Sequence, residues 1–469
     1  MGIKRYYANK DNTITNAFEA DLTTRGTGSN MGAADILEVF SIFGQASSSS
    51  GLTTEKSRAI IEFDTTQIST SRTSGEIPAS GSVNFYFKLY NAKHGQTLPK
   101  QFNLVVAPIS QSWTEGVGLD MENYSDAGVS NWISASQGTA WTNQGGDFLT
   151  GSGHPTGSQF FDNGTEDLEV DVTTIIEEWL DGTRPNYGLG VFLTSSEEDS
   201  TSRSYYTKKF FARSSEFFFK RPIIEARFAP TVFDDRGQFY YSSSLAPAAD
   251  NLNTVFLYNR IRGRLVNIPS IGTGPIYVSV FSGSSTTPTG SALTLVADGA
   301  NVISGNQTIV TGSHVSTGIY KATFAITAAA TPLEYLHDVW HNGNLTTQFT
   351  TGTIEPLTFG ASSDEFTERY LNNITNLKPV YEPDETAQFR VYTRPRNWSP
   401  TIYTVANVKP ETTIIPSSSF SVFRLRDDLK IIPFGTGSDL ETLLNYDERG
   451  NYFELDMGML EPDYGYGIQ

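Results

Sequence analysis

Apolar side chains recur at every second position along much of this 469-residue chain, and this spacing constrains its fold more than any other feature. The clearest case is residues 83–90, where four apolar side chains fall on one face: Val83, Phe85, Phe87 and Leu89. Residues 276–281 and 389–392 repeat the pattern, which predicts strands with one buried face because strand side chains alternate between faces. Only 18% of residues are charged, against about 25% in ordinary domains, and 12% are aromatic. The chain is therefore predicted to be all-β.

One segment, residues 172–180, has helical spacing instead, with apolar side chains at Val172, Ile175, Ile176 and Trp179. Asp171 is the predicted N-cap, and the helix is predicted to end at Asp181 and Gly182. A single helix among strands is typical of one that closes the end of a β-sandwich.

A serine run, Ser47–Ser50, lies between two strand-like segments, residues 36–43 and 57–63. Small polar residues in such a position predict a mobile loop. A binding loop is the alternative interpretation.

Length and charge divide the chain into three predicted domains. Residues 1–229 hold 27 acids and 18 bases, residues 230–362 hold 7 and 5, and residues 363–469 hold 17 and 10. A chain of this length holds several domains, so we predict tandem β-sandwiches with these bounds, arranged as an elongated molecule. Residues 233–250 have the composition of a linker. The nearly neutral middle block is the part we expect neighbouring molecules to cover.

Charge and cysteine content exclude several classes of function. The 51 acids and 33 bases give a net charge of -18, which repels a phosphate backbone, so we expect no nucleic acid as partner. The chain has no cysteine, and therefore no disulfide, thiolate nucleophile or cysteine-bound zinc. No apolar stretch reaches the roughly 18 residues of a membrane span, and the N-terminal residues lack the apolar core of a secretory signal.

The sequence nominates no catalytic residue, and we predict a protein that is not an enzyme and needs no cofactor. Paired carboxylates are the catalytic arrangement that the composition leaves open, but the adjacent pairs Glu177–Glu178 and Asp427–Asp428 are typical of a solvated face. His337 and His341 have a spacing that binds metal on a helix. Their surroundings favour a strand followed by a turn.

Three tryptophans, Trp113, Trp132 and Trp141, lie in a glycine-rich tract. Flat rings in loops can stack on sugars, whereas buried rings stabilise a core. Packing is favoured for Trp113 and Trp141. For Trp132, packing and glycan stacking both stay open.

Two acidic loops, residues 120–123 and 162–167, carry oxygen ligands of the kind that calcium takes. Neither has a defined ligand register. A structural calcium ion stays an open alternative to a chain without cofactors.

The first block carries a series of short motifs in a fixed order. They are residues 57–64 (SRAIIEFD), Trp113-Thr114-Glu115, Trp141-Thr142-Asn143, the helix, Asn186-Tyr187-Gly188, and Arg221-Pro222-Ile223-Ile224. This order resembles the DNRLRE-type jelly-roll family. The resemblance implies an N-terminal jelly-roll β-sandwich of a kind often appended to carbohydrate-active or surface proteins, and some members of the family bind polysaccharide.

The later blocks carry a second resemblance. Residues 317–324 (TGIYKATF) followed by 337–340 (HDVW) are similar to immunoglobulin-like modules of tailed-phage virion proteins. Residues 376–381, 394–404 and 446–462 are similar to terminal domains of structural proteins of large marine tailed phages. These resemblances imply two Ig-like sandwiches after the jelly roll. The chain stops at residues 464–469 where a further strand is expected, so either the last strand is short or a partner completes the sheet.

Two hypotheses of function follow from these resemblances. The first is a structural component of a tailed-bacteriophage virion, such as a decoration, neck or tail appendage or fibre protein, assembled in the bacterial host cytoplasm. Its partners would be other capsid, neck or tail proteins, and it would be a homo-oligomer or be present in many copies. The second is a carbohydrate-binding protein that recognises a host-surface or environmental polysaccharide through the first block.

Overall fold

A computed structural model describes residues 2–48, 51–93, 99–121, 129–230, 232–296, 307–327, 333–360, 369–399, 401–402, 412–435 and 437–469. Strands account for 42% of the residues and helices for 9%, so the prediction of an all-β chain of tandem β-sandwiches is confirmed. No helix within these ranges is long and apolar enough to cross a membrane. Two compact units make up the chain.

The N-terminal unit comprises Gly2–Ala229 and Glu461–Tyr464. Its strands are β1 Ile3–Thr15, β2 Ile36–Ser48, β3 Gly51–Phe63, β4 Asn84–Leu89, β5 Phe102–Pro108, β6 Ser134–Ser136, β7 Thr139–Ala140, β8 Gly157–Phe161, β9 Leu168–Asp171, β10 Leu189–Leu193, β11 Ser204–Phe211 and β12 Ile223–Arg227. Its helices are α1 Thr65–Ser74, α2 Thr173–Leu180 and α3 Ser195–Glu198.

Ten of these strands form one antiparallel sheet that curls into a near-barrel, in the order β8-β5-β10-β3-β1-β12-β4-β9, with β2 and β11 continuing from β3. A bulge between Ala8 and Lys10 lets β1 pair first with β12 and then with β3. The alternating residues of 83–90 lie where the pattern places them, because Phe85, Phe87 and Leu89 are fully buried in the core of this sheet.

The predicted helix is present as α2, with Ile175, Ile176 and Trp179 buried. Its N-cap is Val172 rather than the predicted Asp171, although the Asp171 carboxylate accepts a hydrogen bond of 2.8 Å from the Thr173 amide. The prediction of a single helix is wrong, because α1 also forms. Its residues are mainly Ser and Thr, so α1 has no apolar stripe.

The serine run that we interpreted as a mobile loop is in part a hairpin. Strand β2 reaches Ser48, which pairs with Gly51 at the start of β3. Ser49 and Ser50 lie outside the described residues. The alternative of a binding loop therefore stays a prediction.

The C-terminal unit comprises Pro230–Leu460 and Gly465–Gln469. Its strands are β13 Asn253–Tyr258, β14 Arg260–Ile261, β15 Arg264–Leu265, β16 Ile276–Gly283, β17 Pro288–Thr289, β18 Val310–Ser316, β19 Ile319–Phe324, β20 Leu336–His341, β21 Gln348–Ile354, β22 Tyr370–Ile374, β23 Thr386–Pro395, β24 Val422–Arg424, β25 Lys430–Ile432, β26 Asn445–Asp447, β27 Gly450–Asp456 and β28 Tyr466–Ile468.

Three main sheets organise this unit. A seven-stranded sheet has the order β13-β19-β18-β16-β20-β21, with β17 beside β16. A four-stranded sheet has the order β22-β23-β27-β26, and a three-stranded sheet has the order β25-β24-β28. The last strand, β28, is only three residues long and pairs with β24.

The segment that we interpreted as a linker, residues 233–250, is packed instead. Phe239 and Tyr241 are buried in the core of the seven-stranded sheet. The Tyr446 hydroxyl donates a hydrogen bond of 2.8 Å to Asp235, and the rings of Phe233 and Tyr446 lie 5.4 Å apart. Turn-forming composition therefore concealed core residues of the C-terminal unit.

Candidate functional site

The three tryptophans of the glycine-rich tract lie together in the N-terminal unit. Trp113, Trp132 and Trp141 are 4–5% exposed and pack with Ile14 and Ile60. The Trp113 and Trp141 indole N–H groups each donate to a backbone carbonyl, at 2.9 and 2.8 Å. Packing, the interpretation favoured for Trp113 and Trp141, is confirmed.

The surroundings of Trp132 leave no free ring face for a sugar. Gly145 lies so close that a Cβ there would be 2.6 Å from the ring, and the Arg58 guanidinium lies 5.4 Å from the ring centroid. A stacking platform needs an exposed face. Glycan stacking on Trp132 therefore stays a prediction that requires the ring to be uncovered first.

The second of the two acidic loops, residues 162–167, already binds a cation from within the chain. The Lys208 ammonium donates to the carbonyl oxygens of Gly164 and Glu166, at 3.0 and 2.6 Å, and to Asn91 Oδ1 at 2.7 Å. Lys208 is 1% exposed, and burial lowers its pKa to about 8. A calcium ion at these oxygens would have to displace the ammonium. The other loop, residues 120–123, lies mostly outside the described residues.

The two histidines with metal-like spacing lie on β20, which confirms the strand prediction. Residues four apart on a strand are about 13 Å from each other, too far to share an ion. The His337 Nε2 lies 2.8 Å from the Ser284 carbonyl oxygen, and the His341 Nδ1 accepts a hydrogen bond of 3.0 Å from the Gly343 amide. Across the described ranges, no group of three or more His, Asp or Glu side chains could hold a metal ion.

Three of the four carboxylates that could have formed catalytic pairs, Glu177, Glu178 and Asp427, are held in ion pairs. Arg72 binds Glu177 and Arg184 binds Glu178, at 2.7 and 2.8 Å. Asp427 pairs with Arg424 at 2.7 Å. The adjacent acids Glu177 and Glu178 thus point to different cations.

A further set of ion pairs crosses four neighbouring strands of the N-terminal unit. Glu225 on β12 bonds Arg5 on β1 at 2.7 Å and Arg227 at 2.8 Å. Glu169 on β9 bonds Arg227 at 2.8 Å and Lys88 on β4 at 3.0 Å. Burial opposes ionisation of Glu225, but the three neighbouring cations lower its pKa to about 2. We call this set the cross-strand ion network.

A groove of about 480 Å³ opens in the same unit, between β1, β2 and two loops. Its walls carry three carboxylates, Asp35, Glu38 and Asp120, and apolar side chains that include Phe40 and Leu119. Glu38 is paired with Lys209 at 2.6 Å, whereas Asp35 is exposed. Such a mixture of apolar surface and a few polar groups is typical of small-ligand sites. No sequence pattern indicates this groove, because its residues come from three separate segments of the chain.

A buried polar cluster fixes one wall of the groove. Asn30 Nδ2 donates to the carbonyl oxygens of Glu115 and Ser130, at 2.6 and 2.9 Å, and Asn30 Oδ1 accepts from the Gly118 amide at 2.9 Å. Only glycine fits at 118, because a Cβ there would lie 1.9 Å from the Asn30 carbonyl oxygen. The asparagine therefore holds the segment that leads to Leu119.

Asp11 lies on β1, the strand that forms the floor of the groove. Its environment leads us to expect that the free energy of unfolding depends on pH. It is fully buried, Arg213 donates its amide to one carboxylate oxygen, and the other oxygen has no hydrogen-bond partner among the described residues. Burial raises the pKa of Asp11 to about 7. The folded protein thus keeps a proton between about pH 4 and 7 that the unfolded chain releases, and stability falls as pH rises, by up to about 1.4 kcal/mol per pH unit.

The Asp11→Asn variant should lack this component, so its free energy of unfolding should change less between pH 5 and 7 than that of the wild type. Denaturant unfolding at several pH values, followed by tryptophan fluorescence, measures the difference. Asp162→Asn removes an exposed carboxyl and controls for the change in net charge. Equal slopes in wild type and Asp11→Asn would contradict the prediction.

Comparison with protein-family models gives no match for this chain, and comparison with curated proteins gives no relative.

Proposed function

We propose that this chain is a structural component of a tailed-bacteriophage virion, a decoration, neck, tail or fibre protein that acts by protein–protein assembly. Tandem β-sandwiches suit such a role, and the sequence resemblance to virion proteins supports the particular class of particle. Its partners would be other virion proteins, those of the capsid, neck or tail. The virion would be its location after assembly in the host cytoplasm.

The observation that carries this proposal is the cross-strand ion network. Glu225 and Glu169 connect β1, β12, β4 and β9 through side chains, in addition to the backbone hydrogen bonds of the sheet. An arginine that binds a carboxylate holds a fixed geometry, so the network braces neighbouring strands against sliding. Charged side chains used in this way suit a mechanical role.

Mass spectrometry of purified virions tests the proposal. We expect the chain in mature particles at a fixed copy number relative to the capsid protein. Its absence from particles, combined with abundance in the infected-cell lysate, would contradict the proposal.

The groove favours glycan binding as a second candidate function. Carboxylates accept hydrogen bonds from sugar hydroxyls, and apolar side chains such as Phe40 cover the C–H faces of a sugar ring. The binding site would then be the groove in the first block rather than the buried Trp132.

A glycan array with the full chain measures this second function. The Asp35→Asn variant should weaken binding by about 10- to 150-fold, since a hydrogen bond to a charged group contributes about 1.5–3 kcal/mol. Asp162→Asn, which removes an exposed carboxyl outside the groove, should bind like the wild type. Absence of binding at millimolar sugar would reject glycan recognition as a main function.

A further inference from the structure

Strand β21 ends the seven-stranded sheet of the C-terminal unit with an open edge. It pairs with β20 on one side, and on the other side the described residues provide no strand and no backbone hydrogen bond. Its seven residues include no charged residue and no proline, and Thr350, Thr351 and Thr353 are exposed. An open strand of this kind is a template for pairing with another strand.

The opposite end of the same sheet is closed. The Asp235 carboxylate accepts a hydrogen bond of 2.6 Å from the Thr254 amide of β13, and Arg236 donates to the Phe256 carbonyl oxygen at 3.2 Å. A short helical turn, Asp235–Gln238, thus covers the outer edge of β13. Charges and covering segments are the usual protection of sheet edges. Among the described residues, β21 has no charged residue of its own and no segment hydrogen-bonded along its outer edge, although Arg236 lies against Gly352 on one face of the strand and Leu357, beyond its end, bonds Phe239 and Tyr241.

Charge identifies what fits this open edge. The whole chain has a net charge of -18, so two copies repel each other over most of their surfaces. Residues 230–362 contain only 12 of the charged residues, and β21 contains none. Two copies can therefore approach through β21 without bringing like charges face to face.

The strand is also complementary to itself. Its central residue is Thr351, so antiparallel pairing about a two-fold axis at Thr351 overlaps all seven residues. The facing pairs are then Thr350 with Gly352, Phe349 with Thr353, and Gln348 with Ile354. Each pair joins uncharged side chains, and a two-fold axis is the usual symmetry of a dimer.

We propose that β21 pairs with β21 of a second copy of this chain, antiparallel about Thr351, to form a dimer with one continuous sheet. The dimer goes beyond the proposed virion role and does not depend on it. It assigns the interface to one strand and fixes its register.

Because the chain has no cysteine, a single introduced cysteine tests the register directly. Residues facing each other across an antiparallel pair have Cα atoms about 4.5–5.5 Å apart, within the range of a disulfide. Thr351→Cys should therefore form a covalent dimer on mild oxidation. Thr353→Cys is the matched control, because the two copies of residue 353 would be about 13 Å apart, and it should stay monomeric. Equal cross-linking at both positions, or at neither, would overturn the proposal.

Sedimentation equilibrium of the full chain gives an independent measurement. The wild type should dimerise, and Thr351→Lys should raise the dissociation constant more than about tenfold, because it places two ammonium groups opposite each other. Thr346→Lys, an exposed position in the turn before β21, controls for the added charge. A wild type that is monomeric up to its solubility limit, or a dimer that Thr351→Lys leaves intact, would overturn the proposal.

Discussion

Replacing Arg236 with methionine should lower the free energy of unfolding of the C-terminal unit by about 3–5 kcal/mol. The Arg236 guanidinium binds both carboxylate oxygens of Asp338, whose side chain is fully buried. Methionine would leave this carboxylate in the interior with, among the described residues, the Trp340 indole N–H at 2.7 Å as its remaining hydrogen-bond donor. Denaturant unfolding followed by intrinsic tryptophan fluorescence measures the change.

Two variants control for this result. Lys378→Met removes an exposed partner of Glu385 in the same unit, and a surface ion pair contributes no more than about 1 kcal/mol. Arg236→Met combined with Asp338→Asn should recover part of the loss, because the asparagine is uncharged and its oxygen can still accept from Trp340. If Arg236→Met destabilises the unit no more than Lys378→Met, the buried ion pair does not have the predicted effect.

Strand periodicity could be predicted because it depends only on neighbouring residues. The four alternating side chains of residues 83–90 are buried, and the apolar spacing of α2 gave its position to within one residue. Helix α1 lacks such a pattern, since Ile68 is its one apolar residue. The features that could have indicated α1 are at its two ends: Asp64 as the N-cap and Gly75, in the left-handed conformation, after the last turn.

Contacts between distant segments could not be predicted from the sequence. Phe239 and Tyr241 are buried because strands many residues away surround them, although their neighbours in the sequence are turn formers. The loop at residues 162–167 has the oxygen atoms that a cation needs, as predicted. The cation that binds them is Lys208, which β11 brings from 42 residues beyond Glu166.

Trp132 shows most clearly that contacts between distant segments cannot be predicted from the sequence. Its neighbours in the sequence suit both an exposed ring that stacks on a sugar and a ring buried in a core. The two interpretations of Trp132 make different predictions for one variant. If the ring packs the core, Trp132→Ala should lower the free energy of unfolding of the N-terminal unit by about 3–5 kcal/mol. The reason is the cavity that the substitution would leave between Gly145 and the side chains of Ile14 and Ile60. In the wild type the Trp132 ring fills this space and is 5% exposed.

Denaturant unfolding of Trp132→Ala beside Tyr205→Ala decides between the two interpretations. Tyr205 is 50% exposed, so its truncation should change the free energy of unfolding by no more than about 0.5 kcal/mol. Both variants should then be tested on the glycan array without denaturant, at a temperature where each is folded. A Trp132→Ala protein as stable as Tyr205→Ala, but unable to bind a glycan that the wild type binds, would contradict packing. This result would also indicate that the glycan binds at the Trp132 ring rather than in the groove.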